Sequence, residues 1–271
     1  MTTAAPLDAR FHALHADGLL LLANCWDAGS ARLAQEAGAR AVATSSAAVA
    51  WSHAWPDGDL LPRELLLQTV RAVAGAVTLP VTVDVEGGFS DDPAEVGELV
   101  GAVVEAGAVG INIEDGSAEP ALLAAKIAAA REAGKARGVD LFVNARTDVF
   151  LRGLAEPGQR VAEVLAREAR YRDAGASGIF VPGITDAGEI AAVVAGAKLP
   201  LNVMARPGMM PIAQLRELGV RRYSAGSGIS ELVNGLVAAL MRSFVDEGRI
   251  EAPAALEAMG YSELNTVMAR G

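Results

Sequence analysis

The feature that most restricts this chain is an alternation, kept from end to end, of short β-branched runs with longer Ala/Leu/Glu/Arg-rich segments of helical periodicity. The runs are Leu19–Ala23, Ala41–Thr44, Val81–Val85, Val109–Ile113, Leu141–Asn144, Gly178–Val181, Leu201–Met204 and Arg222–Ser224. Between them the periodicity predicts helices over Ser30–Ala37, Pro62–Ala76, Pro93–Ala106, Pro120–Arg137, Arg160–Ala174, Asp186–Ala195, Ile212–Leu218 and Ile229–Glu247. Strands each followed by a helix predict parallel pairing through right-handed crossovers, and eight such units closing on themselves make an α/β fold of the TIM-type (β/α)8 barrel kind. The turns "EAGA" at Glu36–Ala39, "DAGA" at Asp173–Ala176 and "ELGV" at Glu217–Val220 put a glycine just past a helix end, where a left-handed cap stops the helix. No Pro-, Gly- or Ser-rich linker divides the chain. Residues 1–271 are therefore expected to form a single barrel domain, with an N-terminal helix before the first strand and a C-terminal helical extension ending in a tail, 249–271. A doubly wound sheet would carry G-x-G-x-x-G after its first strand, where this chain has "ANCWDAGSA".

Composition narrows the function classes. A formal charge of -10 and the lack of any Lys/Arg run argue against a nucleic-acid partner. The single Cys25 excludes an internal disulfide framework and a multi-cysteine zinc site. The N-terminus lacks the basic-then-apolar order of a secretion signal, and no stretch reads as a membrane span, so a cytoplasmic protein with no membrane partner is expected.

In a barrel of this kind function sits at the C-terminal ends of the strands, and polar residues gather there while the strand interiors read as apolar. Asn24, Trp26 and Asp27 follow the first strand. Thr44, Ser45 and Ser46 follow the second, whose loop then carries "WPDGD" with Asp57 and Asp59. Asp84 and Glu86 end the third run, Glu114 and Asp115 the fourth, Arg146 and Asp148 the fifth, and Asn202 and Arg206 close the seventh. Strand alternation would put Asp84 and Glu86 on one face, and the following Gly87 and Gly88 read as backbone that turns tightly and leaves room for a ligand. An acid cluster of Asp57, Asp84, Glu86 and Glu114, without Cys or His pairs, suits a hard divalent cation, Mg²⁺ or Mn²⁺.

The motifs "NCWDAGSARL", "PDGD", "VTVDVEGGF", "INIEDG", "VNARTDVFL" and "LNVMARPG" together resemble the isocitrate lyase/phosphoenolpyruvate mutase superfamily, from about the first strand to the eighth. That resemblance implies a Mg²⁺-dependent barrel that makes or breaks C–C or P–C bonds beside a 2-oxo acid through an enolpyruvate-like intermediate. It also implies homo-oligomers, dimers or tetramers that exchange their last helices. Asp84 would bind the metal most directly, with Asp57, Glu86 and Glu114 holding its waters. Ser45, Ser46 and Ala47 would donate to the substrate, Arg146 would pair with its carboxylate or phosphoryl group, and Asn202 would touch it as well. Catalytic roles fall to Asp57, Arg146 and Glu114.

Departures from the superfamily pattern separate the candidate reactions. The Cys-Gly-His stretch that isocitrate and methylisocitrate lyases carry after the fourth strand is replaced here by "IEDGSAEPALLAAK", and the Asn-containing gating segment of a phosphonomutase is not evident. Glu86 stands where the characterised branches have Asp. The leading expectation is a Mg²⁺-dependent lyase or related hydrolase that cleaves a C–C bond in a small 2-oxo or 2-hydroxy carboxylic acid. The alternatives are phosphonomutase or phosphonopyruvate hydrolase chemistry, and a non-catalytic carboxylate-binding barrel. Cys25 reads as a small buried thiol, His53 as an exposed or packed loop residue, and His12 and His15 as surface residues of the leading helix. The Gly/Ser loop Ser224–Ser230 is a weak phosphate candidate, and the stripe Leu232, Leu236, Val237, Leu240 and Phe244 reads as packing within or between subunits.

Overall fold

Eight short strands, β1 (Leu20–Cys25), β2 (Val42–Thr44), β3 (Val81–Asp84), β4 (Gly110–Glu114), β5 (Phe142–Arg146), β6 (Gly178–Phe180), β7 (Leu201–Met204) and β8 (Arg222–Ser224), pair in parallel in chain order. The register Leu20↔Arg222 joins β1 to β8, so the sheet closes into a barrel, as the alternation predicts. In this computed structural model residues 5–251 and 257–269 are described. The helices are α1 (Leu7–Ala16), α2 (Ala28–Glu36), α3 (Ser46–Ser52), α4 (Arg63–Ala76), α5 (Pro93–Glu105), α6 (Pro120–Ala136), α7 (Arg160–Asp173), α8 (Ala187–Gly196), α9 (Ile212–Glu217), α10 (Gly228–Glu247) and α11 (Tyr261–Met268).

Local chemistry sets the helix starts. Asp27 accepts from Ser30 N at 2.6 Å while Ser30 Oγ accepts from the Asp27 N–H, a reciprocal cap that starts α2. Asp92 accepts from Ala94 N at 2.9 Å and Pro93 takes the first helical position of α5, so the acid pair Asp91–Asp92 supplies a cap as its place before a proline suggests. From there Val96, Leu99, Val100, Val103 and Val104 form a buried stripe against the sheet and α6.

Inside the barrel the side chains form layers. Phe11 of α1 plugs the N-terminal end, packed with Leu20, Leu22, Ala43, Val109 and Phe142. The middle layer is polar, which corrects the expectation of apolar strand interiors. Asn112 Oδ1 accepts from Asn144 Nδ2 at 2.9 Å and from Arg222 at 3.0 Å, and Asn202 Oδ1 accepts from Asn144 at 3.0 Å and Ser224 at 3.1 Å. Glu114 and Arg146 stand two residues beyond Asn112 and Asn144, and Asp84 ends β3, all at the C-terminal rim.

Two expectations change at the ends of the chain. His15 is buried rather than at the surface, with its ring stacked on Phe142 at 4.0 Å. The segment expected to carry no membrane-length helix contains one: α10 is long and apolar enough to cross a bilayer by length and composition. Only Ser230 of α10 is buried, while Leu232, Met241, Phe244 and Val245 are more than half exposed. Beside it, between β1, α2 and α9, lies an open apolar cleft of about 1030 Å³ whose lining includes Leu21, Leu33, Ile212, Ile229 and Met268. Leu21, on the outer face of β1, is 46% exposed, so this part of the barrel wall is not covered as the rest is.

Candidate active site

The acids read from the sequence converge at the rim, though not by the route expected. β3 ends at Asp84, and Glu86 lies in the turn after it with φ of 52°, so alternation along a strand does not set its direction. The Glu86 N–H reaches back to Asp84 Oδ1 at 3.4 Å, and Ser46 N approaches Asp84 Oδ2 at the same distance. Both contacts sit at the long limit of a hydrogen bond, so the half-buried Asp84 carboxylate keeps acceptor capacity on each oxygen. Burial, together with the nearby charge of Asp57, raises the Asp84 pKa against the pull of Arg146. Asp57 is exposed on the loop above, and its charge is felt at both Asp84 and Glu86.

Glu86 has a different partner set from the one expected. Its Oε2 accepts from Gly58 N at 2.8 Å and from Asp59 N, which ties it to the loop that carries Asp57. Burial and the charges of Asp57, Asp59 and Asp84 push its carboxyl up to about 7, against the pull of the Asp59 N–H. The glycines that follow do not leave room for a ligand. A Cβ at Gly87 would come within 2.9 Å of Asp59 Oδ2, and one at Gly88, where φ is +95°, within 2.8 Å of Val96.

Arg146 is the cation facing this cluster. Its Nη1 contacts Glu114 Oε2 at 2.6 Å, and Nε and Nη2 grip Asp148 at 2.7 and 3.1 Å, with the guanidinium 5.9 Å from the centroid of Phe180. Burial and the charges of Asp84, Asp148 and Glu86 push Glu114 up to about 8, while the Arg146 guanidinium pulls the other way. Asp148 is itself held. Its N–H donates to Asp115 Oδ1 at 2.9 Å, and Asp115 Oδ2 accepts from Arg167 at 2.8 Å and from the Tyr171 hydroxyl at 2.7 Å. Asp115 and Asp148, read from the sequence only as rim residues, therefore form the buried brace that aims Arg146. Paired acids at consecutive strand ends were the signal available for them.

Other expected residues fall as follows. Ser45 caps α3 by accepting from Ala48 N, and Ser46 and Ala47 form its first turn at the rim, half-buried. Asn202 is corrected. Its amide is spent inside the barrel, where Oδ1 accepts from Asn144 and Ser224 and Nδ2 donates to Val203 O at 2.7 Å and Arg222 O at 3.2 Å, so it offers nothing to a substrate. Arg206 is exposed. His53 bonds Thr69 Oγ1 at 2.9 Å behind α3. In the Ser224–Ser230 loop Gly226 N is taken by Asn24 Oδ1 and Ser227 Oγ by Glu231, an acid that opposes phosphate. Cys25 is buried with its thiol pushed up to about 12, an inert thiol.

Among the described residues no three His, Cys, Asp or Glu side chains converge closely enough to hold a metal ion by themselves. The donor set nonetheless fits a hard cation held through one carboxylate and its own waters: all oxygen, with acids crowded enough that a positive charge relieves them. The fold and rim together define a (β/α)8 barrel whose C-terminal rim carries an acidic, Arg-bearing cluster. Residues 11–245 match the phosphoenolpyruvate phosphomutase family, and the chain belongs to it. An uncharacterised protein of Mycobacterium tuberculosis is 40% identical over 223 residues, which cover 80% of this chain and 81% of that one. An oxaloacetate decarboxylase of Bradyrhizobium is 31% identical over 62% of this chain and 58% of its own length. The crystal structure of a phosphonopyruvate hydrolase in complex with oxalate and Mg²⁺ superposes with a TM-score of 0.83 at 26% identity, over 97% of this chain and 95% of that one. The relatives with a named activity are thus enzymes of the phosphoenolpyruvate mutase and lyase kind.

Proposed function

We propose that this protein is a cytoplasmic, Mg²⁺-dependent lyase or hydrolase that cleaves a C–C bond in a small 2-oxo or 2-hydroxy carboxylic acid through an enolpyruvate-like intermediate. The observation that supports it is the rim cluster, in which Asp84 and Glu114 face Arg146, Asp57 lies on the loop above Asp84, and carboxyl pKa values are raised at Asp84 and Glu114. Asp84 would hold the cation directly, and Asp57 and Glu114 through water. When bound, the ion supplies Lewis-acid stabilisation of the charge that develops on the substrate's 2-oxo oxygen. Arg146 is suited to a carboxylate because Asp148 grips two of its nitrogens and leaves the Nη1 side, now on Glu114, to exchange partners. The first turn of α3 brings backbone N–H groups to the same rim, where they favour an anionic oxygen.

The phosphonopyruvate hydrolase likeness keeps P–C cleavage as the second reading, because loss of CO2 from oxaloacetate and P–C cleavage of phosphonopyruvate would both leave an enolate of pyruvate. One experiment separates them: the purified protein with Mg²⁺ is offered oxaloacetate, substituted malates and phosphonopyruvate while pyruvate and phosphate release are followed together. Pyruvate without phosphate is expected. Pyruvate with phosphate moves the protein to phosphonate chemistry, and Mg²⁺-dependent oxalate binding with no turnover of any of these compounds would favour a carboxylate-binding barrel.

The assembly belongs to the same reading. The bare face of α10 and the open cleft beside β1 are complementary in character, and a second copy's α10 laid in that cleft would complete both barrels. The protein is therefore proposed to work as a homo-oligomer built by helix exchange.

A further inference from the structure

Glu86 and Asp59 each hold the other's loop. Glu86 Oε2 accepts from the N–H groups of Gly58 and Asp59, and Asp59 Oδ1 accepts from Phe89 N at 3.0 Å, so each carboxylate satisfies backbone donors of the opposite segment. The turn 86–89 needs such support. Glu86 and Phe89 have φ of 52° and 58°, a left-handed conformation that costs a residue with a Cβ roughly 1–2 kcal/mol and persists only where the surroundings over-determine it. Two further braces converge on the same turn: Lys126 Nζ donates to Gly87 O at 2.8 Å, and Arg63 Nη2 to Phe89 O at 3.0 Å. Gly87 lacks a side chain where the Asp59 carboxylate presses closest.

We propose that Glu86 is a positioning residue rather than a member of the cation's shell, and that its pairing with Asp59 locks the loop 56–60, and with it Asp57, over Asp84. The length of the side chain carries the argument. Glu86 starts from a turn residue whose backbone lies against Asp84, yet its Oε2 reaches two consecutive N–H groups 27 and 28 residues away in sequence. An Asp in this place would be shorter by one C–C bond, about 1.5 Å, and would fall short of the 2.8 Å contact. The consequence for the site rests on the reading of Asp84 as the direct ligand, but the clasp itself does not.

The two roles order the same variants in opposite ways. Glu86→Gln keeps the length and an acceptor oxygen but loses the charge; Glu86→Asp keeps the charge but loses the reach. A clasp predicts that the amides of Gly58 and Asp59, read by hydrogen exchange, stay within about fivefold of wild type in Glu86→Gln and exchange at least twentyfold faster in Glu86→Asp. Mg²⁺ affinity by calorimetry should follow that order. The reverse order, with Glu86→Asp like wild type and Glu86→Gln impaired, would make Glu86 part of the cation's shell and overturn the proposal. Asp59→Ala provides a second handle from the other side: Phe89 N and the Gly58 and Asp59 amides should all lose protection together, and loss at Phe89 alone would show two independent bonds rather than a clasp. If the wild type binds no Mg²⁺, the metal assignment fails while the exchange order still decides the clasp.

Discussion

His15 sits in the plug at the N-terminal end of the barrel, where its Nδ1–H donates to Phe11 O at 2.8 Å and its Nε2 is buried without a partner among the described residues. Burial, with the charge of Arg222 added to it, lowers its pKa to about 3 from the ordinary 6.5, so the native ring stays neutral. The charge that opposes it is itself confined. Arg222 is 1% exposed, held by Asn112 and Ser224 in the polar layer, and burial brings it down to about 9, still a cation near neutral pH. The unfolded chain thus takes up a proton between pH 6.5 and about 3 that the folded chain refuses, and the stability this neutral ring confers is present above 6.5 and lost as pH falls through that window. At its steepest the loss is ~1.4 kcal/mol per pH unit. Replacing His15 by Gln removes the proton uptake. The stability difference between wild type and His15→Gln, from urea unfolding at pH 7 and pH 4.5, should therefore shift by about 2 kcal/mol against wild type at the lower pH. A difference that is the same at both pH values would mean that the ring is charged in the native state or solvated in the plug.

At the scale of elements, the strands and most helices were legible because β-branched runs and helical stripes are signals of burial, which is what the barrel wall imposes. The signal failed where burial is polar. β4 and β5 run on through Glu114 and Arg146, beyond the apolar runs that marked them, because ladder hydrogen bonds continue to the rim whatever the side chain. Asn112 and Asn144 pass unnoticed in a strand pattern and Asn202 reads as a rim residue, yet the three are joined in one layer, and an Asn repeated mid-strand was the clue. The "SAAVAWS" of α3 resembles a loop after a strand; its helix is set by the Ser45 cap, whose partner Ala48 no periodicity marks. The acids of the site were legible as a group, but the turn that bends Glu86 toward Gly58 was not, since positive φ at a Glu follows from tertiary braces rather than from propensity. One of those braces can be tested alone. Lys126, 5% exposed on α6, donates to Gly87 O, while its other contact, Asp91, lies in solvent and adds little. Lys126→Met should strand that carbonyl and lower the unfolding free energy by about 1–3 kcal/mol, with an unchanged denaturant slope. A variant as stable as wild type would show that the turn does not depend on α6.

For the whole molecule the unresolved demand is apolar surface. Along α10 Val233, Val237, Met241 and Phe244 recur at the three- to four-residue spacing of one helical stripe, and all are between 39% and 62% exposed. The cleft beside β1 exposes Leu21, Leu33, Ile212 and Ile229 in the place where the ring of helices should close. Neither face is a stable end state in water, since burial of each large apolar side chain is worth about 1.5–3 kcal/mol. α10 reaches the cleft with Ile229 and Val233 but leaves it open, and α11 packs on α2, where Arg32 grips the Val267 and Ala269 carbonyls. A second copy related by the proposed exchange would satisfy both faces with one operation, which is the economy of a closed symmetric assembly. Charges placed in the stripe oppose that burial and leave the rim acids untouched. Val237→Glu with Phe244→Glu should therefore shift the mass measured by light scattering from a dimer or tetramer to a monomer that keeps its helical circular dichroism. A wild type already monomeric at tens of micromolar would remove the exchange, and wild-type protein that instead partitions onto lipid vesicles through α10 would assign the same stripe to a bilayer.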